Sequence, residues 1–301
     1  RAGFELPSTR SWVLREVDHP AVAPLLAYKE LARIHTANGW AWQDEWVRGG
    51  RFRPGYVPAG VVSGRWATRG GGGLQIPRRL RGAVVADPGH VLVVADAGQL
   101  EPRVLAAMSA DPAMVRAAGD ADLYAALAAE SFDGDRDRAK IGLLAAMYGQ
   151  TGGSAAVPLG VLRRRYPVAL DLLEDAARTG EHGGLVRSRL GRTCPPGSPA
   201  DGPAARARGR FTRNFVVQAT AAEWAAALLA GLRRRLTGID GAELVFFQHD
   251  EVVVHTPTAG AEAVVAAVHD AGVDAGRLLF GDSGVRFPLV AVAADCYADA
   301  H

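Results

Sequence analysis

Hydrophobic positions recur near helical spacing early in the chain. Val13, Leu14, Val22, Leu25, Leu26, Tyr28, Leu31 and Ile34 predict a helix across residues 10–35. A Gly- and Trp-rich stretch follows, and residues 51–57 read as irregular or β-like. Residues 70–73, Gly-Gly-Gly-Gly, are a flexible loop. From Val91 to Ala95 the apolar run is unbroken, which predicts a strand over 90–96 buried on both faces. Residues 101–109 should be a helix, with Pro102 tolerated in its first turn. The span from 111 to about 166 reads as all-helical, and so does 167–179. Residues 193–203, rich in Pro, Gly and Ser, read as an exposed loop. A long helix follows over about 204–236. Apolar stretches at 243–247 and 251–255 flank a short turn and predict a hairpin. A helix over 258–271 and a strand over 287–293 end the pattern. No internal repeat is visible. The fold class this predicts is α+β, with acids on two separate strand segments of one sheet and a helical insertion between them.

Those acids are the first chemical signal. Asp96 ends the buried strand, and Asp250 sits in the hairpin turn between His249 and Glu251. If the strands are neighbours, the two carboxylates converge. Each then pushes the other toward protonation unless a cation lies between them. Mg²⁺ suits such a pair, because it takes oxygen ligands and keeps several waters. Taken singly, Asp96 reads as a helix cap and Asp250 as a turn stabiliser; it is the pair that points to metal. His255 reads as an ordinary strand residue.

The second signal is a stripe. Arg136, Lys140, Leu144 and Tyr148 are each four apart, so on a helix they share one broad face. A guanidinium and an ammonium on that face can clamp phosphates, Arg as a fork and Lys as a point charge. An ordinary solvated helix would show the same spacing.

Charge adds a qualification. Lys and Arg number 34 against 32 Asp and Glu, a net of +2, so the total argues neither for nor against nucleic acid. All but Lys29 and Lys140 of the cations are Arg, and several cluster, at 65–81 and at 187–213. Such patches can follow a phosphate backbone while acids elsewhere hold the total down. The two cysteines, Cys194 and Cys296, form no metal spacing and no disulfide framework, which suits a reduced cytosolic setting. No apolar run reads as a bilayer span. The first residues lack a signal pattern, and the chain begins with Arg rather than Met, as a fragment would.

Taken together these stretches resemble the family A DNA polymerases, of the bacterial DNA polymerase I type. Asp96, Gln99, Glu101 and Arg103 match the family's Asp-Tyr-Ser-Gln-Ile-Glu-Leu-Arg. Arg136, Lys140, Tyr148 and Gly149 match its Arg-x3-Lys-x3-Phe-Gly-x2-Tyr-Gly. His249-Asp250-Glu251 matches its Val-His-Asp-Glu. Ser63-Gly64-Arg65, Leu74-Gln75-Ile76-Pro77 and Asn214 to Ala222 match further segments, in family order over nearly the whole chain.

The resemblance implies a right-hand architecture. It places a partial thumb and its junction with the palm at 1–57 and the antiparallel-sheet palm at 58–105 and 208–301. The helical fingers would be inserted at 106–207. It implies a DNA-directed DNA polymerase that adds dNTPs to a primer 3′-hydroxyl by two-metal phosphoryl transfer, without an exonuclease in this chain. Asp96 and Asp250 would hold two Mg²⁺ ions, for which Mn²⁺ can substitute, supported by Glu251. Arg136, Lys140, Leu144, Tyr148, Gln99 and Glu101 would receive the nucleotide, Glu101 as the steric gate against a ribose 2′-hydroxyl. Arg65, Gln75, Arg210, Asn214, Gln218 and His249 would contact primed DNA. A monomer is expected, cytoplasmic and associated with the bacterial nucleoid, with no membrane partner.

The departures matter too. Ala97 and Gly98 replace Tyr and Ser, Leu144 replaces an aromatic, Ala145 a Gly and Phe247 a Gln. A loosened gate and weaker sugar discrimination are expected, in an active but atypical enzyme. The alternative is a non-catalytic DNA-binding module on a degenerate polymerase scaffold. A two-metal nuclease is a weaker one.

Overall fold

The structure, a computed structural model, describes residues 5–70, 72–74, 76–150, 155–198 and 201–300. It divides into two units, Arg1–Tyr56 with Thr68–Pro77, and Val57–Ala67 with Arg78–His301.

The smaller unit holds α1 (Ser11–Leu14), α2 (Val22–Asn38) and α3 (Trp40–Trp46). Strand β1 (Val47–Arg48) pairs with β2 (Arg51–Phe52), and β3 (Gly55–Val57) with β4 (Ala67–Arg69) at the edge of the unit. The continuous helix expected over 10–35 is therefore two helices. Pro20 lacks an amide N–H and drives the residue before it out of the helical region. A turn at Val17 to Val22 results, in which the Ala21 amide donates to His19 Nδ1 at 3.1 Å. The Gly- and Trp-rich stretch, for which the sequence predicted no element, forms α3. Gly70 has a φ of +67°, and a Cβ there would lie 2.3 Å from the Trp46 ring, so only Gly fits.

The larger unit is built on one antiparallel sheet. Its strands are β5 (His90–Ala97), β6 (Glu243–Gln248), β7 (Glu251–Pro257) and β8 (Leu289–Ala294), in the order β6-β7-β5-β8. One face of the sheet presents Val93, Ala95, Val252 and Val254 to the main core. The other packs Leu92, Val94 and Val253 around Tyr297. That two-sided burial accounts for the unbroken apolar run in β5.

Helices α4 (Leu100–Ser109), α5 (Pro112–Ala118), α6 (Leu123–Ser131), α7 (Arg136–Tyr148), α8 (Ala156–Arg165) and α9 (Pro167–Glu181) follow β5. The stretch expected to be helical throughout is thus cut into short helices. Asp111, Asp122 and Asp135 cap α5, α6 and α7 with their side chains. Then α10 (Gly202–Leu236) crosses the core, burying Trp224, Leu228 and Leu232 completely. By length and composition α10 could span a bilayer, contrary to the sequence reading, but 72% of its most apolar window is buried in the fold. Cys194 is buried in the segment expected to be an exposed loop, and Thr193 bridges to Arg187. The last helix, α11 (Ala261–Phe280), runs well past the expected end at 271. Gly272 and Gly276, beyond that expected end, are close-packing positions. A Cβ on the first would come within 2.5 Å of Leu289, and on the second within 3.0 Å of Phe287.

Candidate active site

Two adjacent strands carry the acids. Asp96 and Glu251 are direct partners in the β5–β7 ladder, and the Ala97 amide donates to the Asp250 carbonyl at 3.2 Å. The two-residue turn from β6 to β7 puts His249 in the left-handed region, with a φ of +57°. That conformation costs a residue with a Cβ roughly 1–2 kcal/mol, and such strain is found where a turn must aim a side chain. Burial, followed by the Asp96 charge, pushes the Asp250 carboxyl up to about 7. The convergence expected of Asp96 and Asp250 is thus present in the fold.

Glu251 faces Tyr297. It is 6% exposed and accepts a hydrogen bond from the Tyr297 hydroxyl. Burial and that carboxylate raise the Tyr297 pKa, and the Arg81 guanidinium lies 4.6 Å above its ring. Glu251 is therefore held beside the acids by the sheet's smaller core. Tyr297 carried no signal in the sequence, because it lies far along the chain in no recognised motif.

Glu101 opens α4 five residues after Asp96. Arg65 pairs with one of its oxygens, and the Tyr148 hydroxyl donates to the other at 3.1 Å. Burial and then Glu101 raise the Tyr148 pKa. The same Arg65 guanidinium lowers both His249 and Asp250, although for His249 desolvation is the larger cause. Arg65, His249 and Asp250 line one cleft with Trp66, Leu100 and Phe247. Trp66 and Phe247 meet edge to face at 5.3 Å, so the Phe that departs from the family pattern gives the cleft an aromatic wall.

The stripe forms as expected. Along α7 the side chains of Ala139, Leu143, Ala146 and Met147 are buried, whereas Arg136, Lys140 and Tyr148 are exposed and Leu144 is half-buried. Asp135 caps the start, and Gly149 in the left-handed region ends it. Both ends are tied to the segment after Asp96. Tyr148 reaches Glu101, and Arg136 Nε donates to Asp122 at 2.8 Å, whose other oxygen accepts from Gln99 at 2.6 Å. Gln99 is itself left-handed, with a φ of +59°, and its side-chain Oε1 accepts from the Leu123 amide at 2.8 Å. Its amide group is thus engaged inside the protein. Lys140 has no hydrogen-bonding or ionic partner among the described residues.

Arg103 is fully buried, without a carboxylate in salt-bridge contact among the described residues. It donates to the carbonyls of Gly98, Ala118, Asp120, Ala121 and Arg286, at 2.7–3.0 Å. Burial pushes it down to about 10, which still leaves it charged at neutral pH.

On α10, Arg210 is exposed and Asn214 and Gln218 are half-buried, while their neighbours are buried. They form one face. The Arg210 stem lies against Gly149, and Asn214 acts on the Tyr148 hydroxyl, so this face adjoins the end of the stripe. Gln75 lies outside the described residues.

The donor set suits a hard divalent cation. Two carboxylates whose repulsion is visible in one raised pKa gain from a metal and retain room for water ligands. Among the described residues no group of three His, Cys, Asp or Glu is placed to share an ion.

The sequence profile of DNA polymerase family A matches residues 3–278. The chain belongs to that family. Curated relatives include DNA polymerase I of Chloroflexus aurantiacus, 27% identical over 86% of this chain and 31% of its own length. DNA polymerase I of Pseudomonas aeruginosa is 26% identical over 95% of this chain and 34% of its own length. The thermostable DNA polymerase I of Thermus aquaticus is 27% identical over 83% of this chain and 33% of its own. This member of family A therefore spans about a third of the length of the curated relatives it matches. The POL domain of Pol1 from M. smegmatis, solved in complex with DNA primer-template and dNTP, shares the fold. Its TM-score is 0.83 at 19% identity, over 100% of this chain and 57% of that one. The fold is thus the α+β polymerase fold with its antiparallel sheet.

Proposed function

We propose that this chain is a template-directed DNA polymerase domain. It would add dNTPs to a primer 3′-hydroxyl in DNA replication or repair, as a cytoplasmic monomer. The palm would comprise 58–105 and 208–301, the fingers 106–207 and the base of the thumb 1–57. The observation that carries this reading is the placing of Asp96, at the end of β5, beside the β6–β7 turn that carries Asp250, with the α7 stripe tied at one end to Glu101 and at the other, through Asp122, to Gln99. Family membership and the fold support it.

Asp96 and Asp250 would hold two Mg²⁺ ions, or Mn²⁺ in their place, and Glu251 would support them from the Tyr297 side. When bound, such ions acidify the primer hydroxyl and neutralise charge on the leaving pyrophosphate. Arg136 and Lys140 would bind the triphosphate and steady its developing charge. Leu144 would pack on the sugar, and Tyr148 would sit near the templating position. Gln99 would serve the nucleotide site indirectly, by holding Asp122 beside Arg136. Arg65, Arg210, Asn214, Gln218 and His249, with Gln75 by resemblance, would follow the duplex. In its minor groove every correct pair offers acceptors.

The deciding experiment is single-nucleotide extension of a labelled primed template with Mg²⁺ or Mn²⁺. Templated lengthening of the primer supports the polymerase. Tight binding without lengthening would favour a DNA-binding module, and shortening a nuclease.

Glu101, braced by Arg65 and Tyr148, would fill the space a ribose 2′-hydroxyl needs. Glu101→Ala should raise the ribonucleotide-to-deoxyribonucleotide efficiency ratio by about tenfold or more. An unchanged ratio removes Glu101 from the gate.

The raised Asp250 pKa has a pH consequence. Its folded value, about 7, lies above the ordinary carboxylate value of 3.8. Between these values the folded state holds the extra proton, so this group's contribution to stability falls as pH rises through that window. A cation binds the ionised form, so stabilisation by Mg²⁺ should grow between about pH 5 and 8. Melting curves with and without MgCl₂ at several pH values would show this; a pH-independent difference would contradict it.

A further inference from the structure

Arg136 is not a free cation. Its Nε donates to Asp122 Oδ2 at 2.8 Å, and its guanidinium lies 5.5 Å over the Tyr124 ring. Tyr124 is 6% exposed and so makes a fixed floor. Asp122 is equally constrained. Its Oδ1 accepts from the Ala125 amide at 3.0 Å, as the cap of α6, and from Gln99 Nε2 at 2.6 Å. Gln99 is fixed in turn by the Leu123 amide and by Arg103 Nη2, at 2.8 and 3.3 Å. A chain of hydrogen bonds therefore runs from buried Arg103 through Gln99 and Asp122 to the first residue of α7.

The Arg136 side chain is 47% exposed. The contact with Asp122 uses only Nε, on the side of the guanidinium away from its tip. The two terminal nitrogens, with four N–H groups, have no partner among the described residues. A carboxylate competing for an anion site would take the terminal fork, the usual bidentate mode. This one takes the stem side and leaves the fork outward.

Resting on the polymerase reading, we propose that Asp122 is a positioning residue that aims Arg136 at the triphosphate of the incoming nucleotide. With Tyr124 beneath, it fixes the plane of the guanidinium before the nucleotide arrives, so the fork need not be ordered on binding. Asp122 touches no substrate itself. The sequence carried no signal at this position.

The sign of its effect separates this role from a purely electrostatic one. Removing a carboxylate beside an anion site should tighten phosphate binding if only charge matters. Removing an orienting group should weaken it. Asp122→Asn makes the test clean. Asn retains the cap, because its carbonyl accepts from Ala125 and Gln99, and Asn is a good N-cap. Its NH₂ then faces Arg136 Nε, donor against donor, and the link is lost.

The measurement is equilibrium titration of the whole chain with dATP and with inorganic tripolyphosphate, in wild type, Asp122→Asn, Arg136→Ala and the double variant. Asp122→Asn should weaken both ligands about three- to tenfold, the cost of re-ordering one long side chain. In the Arg136→Ala background it should change nothing further. Unchanged or tighter binding in Asp122→Asn would overturn the assignment, as would full additivity with Arg136→Ala. If Asp122→Asn does not fold, Tyr124→Leu removes the floor and leaves the cap intact. It should show the same weakening and the same dependence on Arg136; no weakening there would overturn the assignment equally. Primer extension by the wild type keeps the two readings apart. Extension with no effect of Asp122→Asn refutes the positioning role alone. The expected binding pattern without extension refutes the polymerase and leaves a positioned anion site. A wild type that binds neither ligand refutes the positioning role.

Discussion

Asp250→Asn should abolish primer extension, by a factor of at least about 10³, corresponding to some 4 kcal/mol of lost transition-state stabilisation. The same substitution should raise the melting temperature of the metal-free protein. The two effects have one cause. Asp250 is desolvated and lies close enough to Asp96 for each charge to repel the other, which pushes it up to about 7. A neutral amide of the same shape removes that repulsion and removes the metal ligand with it. Asp96→Asn should share the loss of extension. Binding of primed DNA should be nearly unchanged, because Arg210, Asn214 and Gln218 lie on a different element. Extension assays, DNA titration and thermal melts on the same preparations test all of this. Extension within tenfold of wild type by either variant would remove the metal assignment. A melting temperature lowered by Asp250→Asn would show the carboxylate to be stabilising, contrary to the geometry.

Arg103→Leu should cost about 3–5 kcal/mol of stability, lowering the melting temperature by roughly 5–8 °C. The reason is the nature of its partners. An ordinary buried ion pair can be replaced on both sides by apolar groups at little cost. Here, besides the Gln99 side chain, the acceptors are five backbone carbonyls, at Gly98, Ala118, Asp120, Ala121 and Arg286, and no substitution removes those. Leu would strand them in a site with no exposure. Arg103→Lys should recover only part, since an ammonium has three donors and no planar fork. A melt of Arg103→Leu within a degree of wild type would show that water replaces the guanidinium.

The sequence carried the strands and acids well, for a physical reason. Val91 to Ala95 is buried on both faces, so its apolar run had no polar interruption to confuse it, and Asp96 marks where burial ends. The Arg136–Tyr148 stripe was equally legible, because helical spacing alone decides which residues share a face. Other features were written in sequence only as ambiguity. Pro20 was visible, yet the apolar residues on either side of it read as one helix. The helix expected to end at 271 runs on through Gly272 and Gly276, which pack against Leu289 and Phe287. Arg103 matched a motif without disclosing its role, since its acceptors are contributed by segments as distant as Arg286. Asp122 and Tyr297 were missed because each is ordinary until folding places it beside Arg136 or Glu251.

The order of strands has a consequence for how the chain is made. The strand bearing Asp96 lies in the middle of the sheet, and both of its neighbours, β7 and β8, are encoded more than a hundred residues later. As the polypeptide leaves the ribosome, this very apolar segment must wait with both edges unpaired until nearly all the chain has emerged. Distant pairing of that kind slows folding and exposes sticky edges in the meantime. The nascent chain should therefore be most prone to aggregate, and most dependent on chaperones, during that interval.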